Sequence, residues 1–341
     1  MVSVSETAPV RVDLDHGFYL VSRAAGFADD VPLPLVICLH GTKTTAADIL
    51  SFWTSFDHTL PLVVVAPQGV HAGWRDSDRA LLREFLDDLP RTLSYDKQRV
   101  LLTGHSAGGA MAFHLLYVEG FPATAVAVTA NYVPPTVESE HVHAHKDVPV
   151  FYAVGERDVN RARMRKGLAL LRDNGVSVTV RRPQIGHVLD RSVGQEAMTW
   201  FESLCRSRTE EVLAAARASL QDDRAFAPSA CALEEIVRVP SIQFSDQVES
   251  ANALLMQIRQ PGYRMLARAD RLLRAGRPLE ARSEILKVEQ RYRSSSLEAE
   301  ARRRRQRIEA MPKVAELLRL QRSLEQGSPP LPSAESRTGN H

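Results

Sequence analysis

The chain has 341 residues, enough for one core of about 200 residues and a second element. Its 43 basic and 41 acidic residues leave a net charge of +2, which gives no ground for a general affinity for nucleic acid. Three cysteines, Cys38, Cys205 and Cys231, are odd in number, dispersed and without C-x-x-C spacing, which argues against a disulfide framework and for a reducing, cytoplasmic setting.

Met1 to Thr7 hold no cationic start followed by an apolar stretch, so no signal peptide is expected. No run approaches the roughly 18 apolar residues of a membrane helix. Residues 1–14 read as an N-terminal extension and 15–206 as one α/β domain, a mostly parallel sheet with helices on both faces. Leu33 to Leu39 is a strand that runs into His40-Gly41-Thr42. Arg99 to Thr103 is a short apolar run with the branching of a buried strand, and Gly109 to Leu116 has the composition of a helix. Between them stands Gly104-His105-Ser106-Ala107-Gly108. A serine between two glycines at a strand-to-helix turn is a nucleophile elbow, with strained backbone at the serine and room at the glycines.

A further strand is expected near Ala125 to Ala130, then a loop to Lys146. Within that loop, His141, His143 and His145 would face one way on a strand and offer zinc or copper ligands. No carboxylate or cysteine spacing accompanies them, so a polar surface loop without metal is the expectation. Val148 to Val154 is a buried strand that ends in Gly155-Glu156-Arg157-Asp158. A helix over Arg161 to Asn174, closed by Gly175 as a left-handed cap, leads to the strand Val176 to Arg182. Ile185-Gly186-His187-Val188 then puts a histidine in a loop before a helix of Gln195 to Cys205.

The order Ser106, Asp158, His187, each at the carboxyl end of a strand, is that of a serine hydrolase on a parallel sheet. A serine hydroxyl is a poor nucleophile until a neutral imidazole takes its proton. A carboxylate on the other ring N–H fixes the tautomer and stabilises the cation that forms. Glu156, two residues from Asp158, offers a second carboxylate for that role. The oxyanion needs donors: the N–H of Ala107, after the nucleophile, and that of Thr42 or Gly41 from the early loop. His40 reads as a structural residue of that loop. Such chemistry needs no metal or cofactor.

The stretches Leu39-His40-Gly41-Thr42, Pro67-Gln68-Gly69, Trp74-Arg75-Asp76, Thr103 to Gly109 and Gly155-Glu156-Arg157-Asp158 resemble the α/β-hydrolases. More narrowly, they resemble the esterases grouped with polyhydroxybutyrate depolymerases and feruloyl esterases, over about residues 15–205. The resemblance implies Ser106 as nucleophile, Asp158 as acid, His187 as base, the segment His40 to Thr42 as oxyanion loop and Trp74 near the pocket wall. His105 is a second candidate for substrate contact. Lys43 and Thr44 stand where that family often carries glycine, and the depolymerases' secretion signal is missing. Little chain is left between Ser106 and Asp158 for a lid, so an open cleft for short or exposed acyl esters is expected. A thioesterase, a peptidase, or a scaffold that has lost catalysis fits the same motifs.

After Cys205 strand-like runs nearly vanish, and residues 207–325 read as all helical. Helices are expected at Thr209–Gln221, Asp246–Arg259, Gly262–Ala275, Leu279–Tyr292 and Leu297–Ala310. About residues 262–294, with Ala269, Ala281, Ile285, Val288 and Tyr292 at helical intervals, resemble one tetratricopeptide unit. A single unit cannot bury its own apolar face, so it must pack on other helices, on the hydrolase domain or on a second chain. The region reads either as a module for a protein partner or self-association or as a helical cover for the catalytic domain. The arginines at 302–305 and 307 are flanked by Glu298, Glu300 and Glu309 and read as a solvated face rather than a nucleic-acid site. Residues 326–341 have the composition of a disordered end.

Overall fold

A computed structural model describes residues 8–70, 73–221, 226–238 and 245–325. The start Met1 to Thr7 and the tail 326–341 lie outside the described residues. The chain divides into two units, one up to Thr209 and the other holding Glu210–Val237 and the chain from Gln247 on.

The first unit is built on eight strands: β1 (Val10–Leu14), β2 (Gly17–Arg23), β3 (Leu33–Leu39), β4 (Val63–Gln68), β5 (Tyr95–His105), β6 (Ala125–Thr129), β7 (Val150–Ala153) and β8 (Val178–Arg181). Their order across the sheet is β1-β2-β4-β3-β5-β6-β7-β8. β2 pairs antiparallel with β1 and with β4, and every pairing from β4 to β8 is parallel. β1 lies inside the stretch that the sequence sets apart as an extension. Residues 10–14 alternate in charge and polarity because this edge strand is largely exposed, which hid it from an apolar-run criterion.

The central strands read as unbroken apolar runs because both faces of a parallel sheet are covered. All seven residues of β3 are buried, and they alternate between two cores. Leu33, Leu35, Ile37 and Leu39 face one core, shared with residues of α2 (Arg79–Thr92), α3 (Ala107–Tyr117) and α5 (Arg161–Asp173). Val36 and Cys38 face the other, shared with α1 (Ala46–Thr54) and α6 (Arg191–Ser219). Burying each such Val, Leu or Ile is worth about 1.5–3 kcal/mol, so the sheet is a rigid platform for whatever stands at its ends. Chain order reverses beside β3: β4 lies on one side of it and β5 on the other. The crevice outside their carboxyl ends is where such sheets place ligands.

Between β6 and β7 the chain forms only one short helix, α4 (Ser139–Ala144). This corrects the strand-or-loop expectation for His141 to His145. His141 and His143 sit on different sides of a helical turn, and His141 Nδ1 accepts from the Glu138 N–H at 3.1 Å. Among the described residues no group of three or more His, Cys, Asp or Glu is arranged to hold a metal ion.

The second unit has its own core, drawn from α7 (Phe226–Arg238), α8 (Ser245–Arg274), α9 (Pro278–Arg291), α10 (Ser296–Glu309), α11 (Pro312–Glu325) and the end of α6. α6 is one helix where two are expected, because nothing between Cys205 and Thr209 is a glycine or proline. α8 likewise joins two expected helices, through Pro261 and Gly262. Proline removes the ladder donor to the Gln257 carbonyl, and a hydroxyl bridges the next rung. Tyr292 Oη accepts from the Gly262 N–H at 3.2 Å and donates to the Ile258 carbonyl at 2.6 Å, replacing one helical hydrogen bond by two. Gly262 leaves room for that ring, since a Cβ there would lie 2.7 Å from it. α7 and α11 are absent from the sequence expectation. Pro278 and Pro312 open α9 and α11, 34 positions apart, and Gly262 and Ser296 keep the same interval in α8 and α10. That interval is the length of a tetratricopeptide unit. The apolar face of the segment 262–294 is covered by neighbours in sequence.

Candidate active site

Ser106 sits at the junction of β5 and α3 with φ 52° and ψ −121°, a conformation that costs a non-glycine residue about 1–3 kcal/mol. The surroundings enforce it. Ser106 N–H donates to the Thr129 carbonyl at 3.1 Å, and its own carbonyl accepts from Gly109 N–H at 2.9 Å and from the buried Asn131 side chain. The two flanking glycines are sterically required. A Cβ at Gly104 would lie 2.3 Å from the backbone of Gly108, and one at Gly108 would lie 2.1 Å from the carbonyl oxygen of Leu39.

Ser106 Oγ lies 2.8 Å from His187 Nε2, and His187 Nδ1 lies 2.9 Å from Asp158 Oδ2. The Asp158 side chain is fully buried and its Oδ1 accepts from the Asn160 N–H at 2.7 Å. The loops that carry acid and base are laced together. Glu156 N–H donates to the Pro183 carbonyl at 2.9 Å, and Arg157 N–H to Ile185 at 3.0 Å. Gly155 permits this approach, since a Cβ there would be 2.9 Å from the Ile185 carbonyl. Glu156 turns away to Arg161 and Arg165, at 3.0 and 3.5 Å. The hydrogen-bonding carboxylate beside His187 is therefore Asp158.

Ala107 is the first residue of α3, so its N–H belongs to the donors a helix leaves unpaired, and the helix dipole favours negative charge there. Gly41 lies against the elbow, its missing Cβ 3.5 Å from that of Ser106. Thr42 and Ala107 close on Gly73, at 3.0 Å to Thr42 Oγ1 and 3.7 Å to Ala107 Cβ from a Cβ placed there. Lys43 makes the loop's turn with φ 66°, the conformation glycine would adopt more readily, and Thr44 Oγ1 secures it on the Gly41 carbonyl at 3.0 Å.

His40 is fully buried beneath this loop. Its Nδ1–H donates to the Gly41 carbonyl at 2.9 Å, and its Nε2 accepts from Gly69 N–H at 3.0 Å. Accepting at Nε2 requires the neutral ring, and burial pushes its pKa down in the same sense. Trp74 donates from Nε1 to the His40 carbonyl at 2.8 Å and lays its ring 4.8 Å from the imidazole, so its observed contact is with the loop's underside. His105 is buried beside the base, ring centres 5.6 Å apart, with Nδ1 3.1 Å from Thr129 Oγ1. Burial, then the neighbouring His187, pushes its pKa down to about 4, so it carries no charge at neutral pH.

Sequence reasoning missed Asn131, which binds the Ser106 carbonyl and accepts the Tyr132 N–H at 2.6 Å. It also missed Asp78, whose buried carboxylate accepts from Val70 and Arg75 N–H at 2.7 and 2.8 Å and so holds the residue next to Trp74. Both are single polar residues without a partner motif, and only their burial marks them.

Strand order, elbow and the chain sequence of the three side chains define an α/β-hydrolase fold followed by an all-helical region. Residues 36–149 match the family model described as lipase (class 3), a stretch that includes Ser106 and ends before Asp158 and His187. Among solved structures, the chain is similar to a ferulic acid esterase at 17% identity, over 57% of this chain and 95% of that one, with a TM-score of 0.48. It is similar to an S-formylglutathione hydrolase from Staphylococcus aureus at 12% identity, over 58% and 99%, with a TM-score of 0.46. A carboxylesterase from Bacillus cereus gives 20% identity, over 54% and 93%, with a TM-score of 0.43. No curated protein sequence matches the chain. No helix among the described residues is long and apolar enough to cross a membrane.

Proposed function

We propose that the protein is a serine hydrolase that cleaves carboxylic esters through a covalent acyl-enzyme. The observation that carries this reading is the continuous line from Ser106 Oγ to His187 Nε2 at 2.8 Å and from His187 Nδ1 to Asp158 Oδ2 at 2.9 Å. Similarity of residues 36–149 to the class 3 lipases supports it.

Ser106 Oγ attacks the ester carbonyl while His187 Nε2 takes its proton. Asp158 keeps the Nδ1–H tautomer and faces the imidazolium that forms. The neutral state of His105 spares that cation a like charge at its side. The tetrahedral oxyanion is held by the N–H of Ala107 and that of Thr42 or Gly41, each such donor being worth about 3–4 kcal/mol of the barrier. Collapse expels the alcohol, which takes the proton from His187. Water, deprotonated by the same ring, then releases the acid.

The short connection from β6 to β7, with six-residue α4 as its one helix, supports a cleft without a lid and hence short or exposed acyl groups. Three free cysteines fit a reducing, cytoplasmic setting. The repeat spacing of the helical region supports a module for a protein partner or for self-association. Turnover of a panel of para-nitrophenyl esters, thioesters and peptides by wild type and Ser106→Ala tests the enzyme reading. Acetate and butyrate esters are expected to lead, with no turnover by the variant. Preference for long acyl chains sinks the open cleft, and turnover confined to thioesters or peptides sinks the ester assignment.

A further inference from the structure

A cavity of about 400 Å3 opens between the loop after β6 and one side of α5, and none of Ser106, Asp158 and His187 lines it. Its lining is apolar from Val133, Pro134, Val137 and Leu170, and cationic from Arg163 and Lys166. Both walls start at the rim that carries the catalytic groups. The loop leaves β6 at Asn131, whose side chain holds the Ser106 carbonyl, and Tyr132 is its next residue. α5 begins at Arg161, just after Asp158. Gly167 brings helix and loop together, since a Cβ there would lie 2.9 Å from Val133 Cγ2.

The charges are placed against local preference. The first turns of α5 carry Arg161, Arg163, Arg165 and Lys166 and no acidic residue, although the positive end of a helix dipole disfavours cations. Glu156 is shared between Arg161 and Arg165. Arg163 and Lys166 pair with no carboxylate among the described residues. Arg163 is instead held over the Tyr132 ring, 5.1 Å from its centre, with Nη1 3.3 Å from Tyr132 Oη. A guanidinium stacked on a ring, without a carboxylate partner, in the first turn of a helix and lining a largely apolar cavity breaks a local rule where function is expected to break it.

We propose that this cavity is a subsite for a carboxylate-bearing end of the substrate, an ester whose apolar body lies along Val133 and Leu170 and whose carboxylate pairs with Arg163 and Lys166. The inference rests on the esterase reading of Ser106 and adds to it a substrate class. The carboxylate belongs to the acyl or to the alcohol side of the ester, and two substrate pairs separate these. One pair is the para-nitrophenyl monoester of adipic acid against para-nitrophenyl hexanoate. The other is para-acetoxybenzoate against its methyl ester.

For each pair the ratio of kcat/KM, charged over neutral, is measured in wild type and in the Arg163→Gln, Lys166→Gln double variant. For one pair that ratio is expected to fall about tenfold, through KM, as loss of a charge-assisted hydrogen bond requires. Both side chains are exposed, so the variant should melt with the wild type, and a melting curve checks that. Ratios unchanged in both pairs overturn the subsite. Should the wild type turn over none of the four esters, the esterase reading fails by itself. The subsite is then judged by calorimetric binding of para-acetoxybenzoate to Ser106→Ala protein. Binding lost on adding Arg163→Gln upholds it, and equal binding or none overturns it.

Discussion

Replacing Gly108 by alanine tests how the elbow is held. The added Cβ would lie 2.1 Å from the Leu39 carbonyl oxygen and 2.6 Å from that of His40, both backbone atoms. Leu39 cannot retreat, because β3 is laddered to β4 on one side and to β5 on the other. α3 must therefore lift. Restoring an ordinary contact of 3.4 Å from 2.1 Å needs a shift of about 1.3 Å, taken directly by Ala107 and Ser106. Overpacking of this kind costs about 1–3 kcal/mol, and a misplacement of about 1 Å at the reacting atoms costs about a hundredfold in rate. The expected result is a lowered denaturation midpoint together with a drop of about a hundredfold in kcat on a para-nitrophenyl ester. Gly175→Ala is the control. It has φ +83° with nothing within 4 Å of a Cβ, so it strains the cap of α5 and leaves turnover alone. Wild-type kcat in Gly108→Ala would refute the reasoning.

Asp158→Asn should lower kcat about ten-thousandfold by losing the correct imidazole tautomer, whereas Glu156→Gln, which loses only half-exposed ion pairs, should stay within about twofold. Equal losses in the two variants would return the acid's role to Glu156. His105 titrates near pH 4 when folded and near 6.5 when unfolded, so the unfolded state binds more protons between those values. Stability should therefore fall as pH drops through that window, by up to about 3 kcal/mol, and His105→Gln should flatten the slope of denaturant midpoint against pH. An unaltered slope counts against it. Tyr292→Phe strands the Gly262 N–H and the Ile258 carbonyl, and chemical denaturation of the helical unit should show a loss of about 1–3 kcal/mol. A loss below about 0.5 kcal/mol would show that the helix at Pro261 needs no such bridge.

The parallel sheet was legible because both-face burial leaves continuous apolar runs such as Leu33 to Leu39, and the elbow because Gly104 and Gly108 are demanded by contact. Ser106, Asp158 and His187 could be placed since each follows a readable strand. β1 was not legible, for an exposed edge leaves no apolar signature. The continuity of α8 was hidden as well. Pro261 is a breaker by every local rule, and the hydroxyl that bridges the adjoining rung comes from Tyr292, 31 positions away in sequence. Asn131 and Asp78 were lost for a similar reason, since a lone polar residue gains meaning only from the buried groups around it.

The most direct test is reaction with a fluorophosphonate followed by mass spectrometry of the digested protein. One adduct, on the peptide containing Ser106, is expected, absent in Ser106→Ala and strongly slowed in His187→Ala. An adduct on another residue, or none at all in the folded wild type, would contradict the assignment of Ser106 as a base-activated nucleophile.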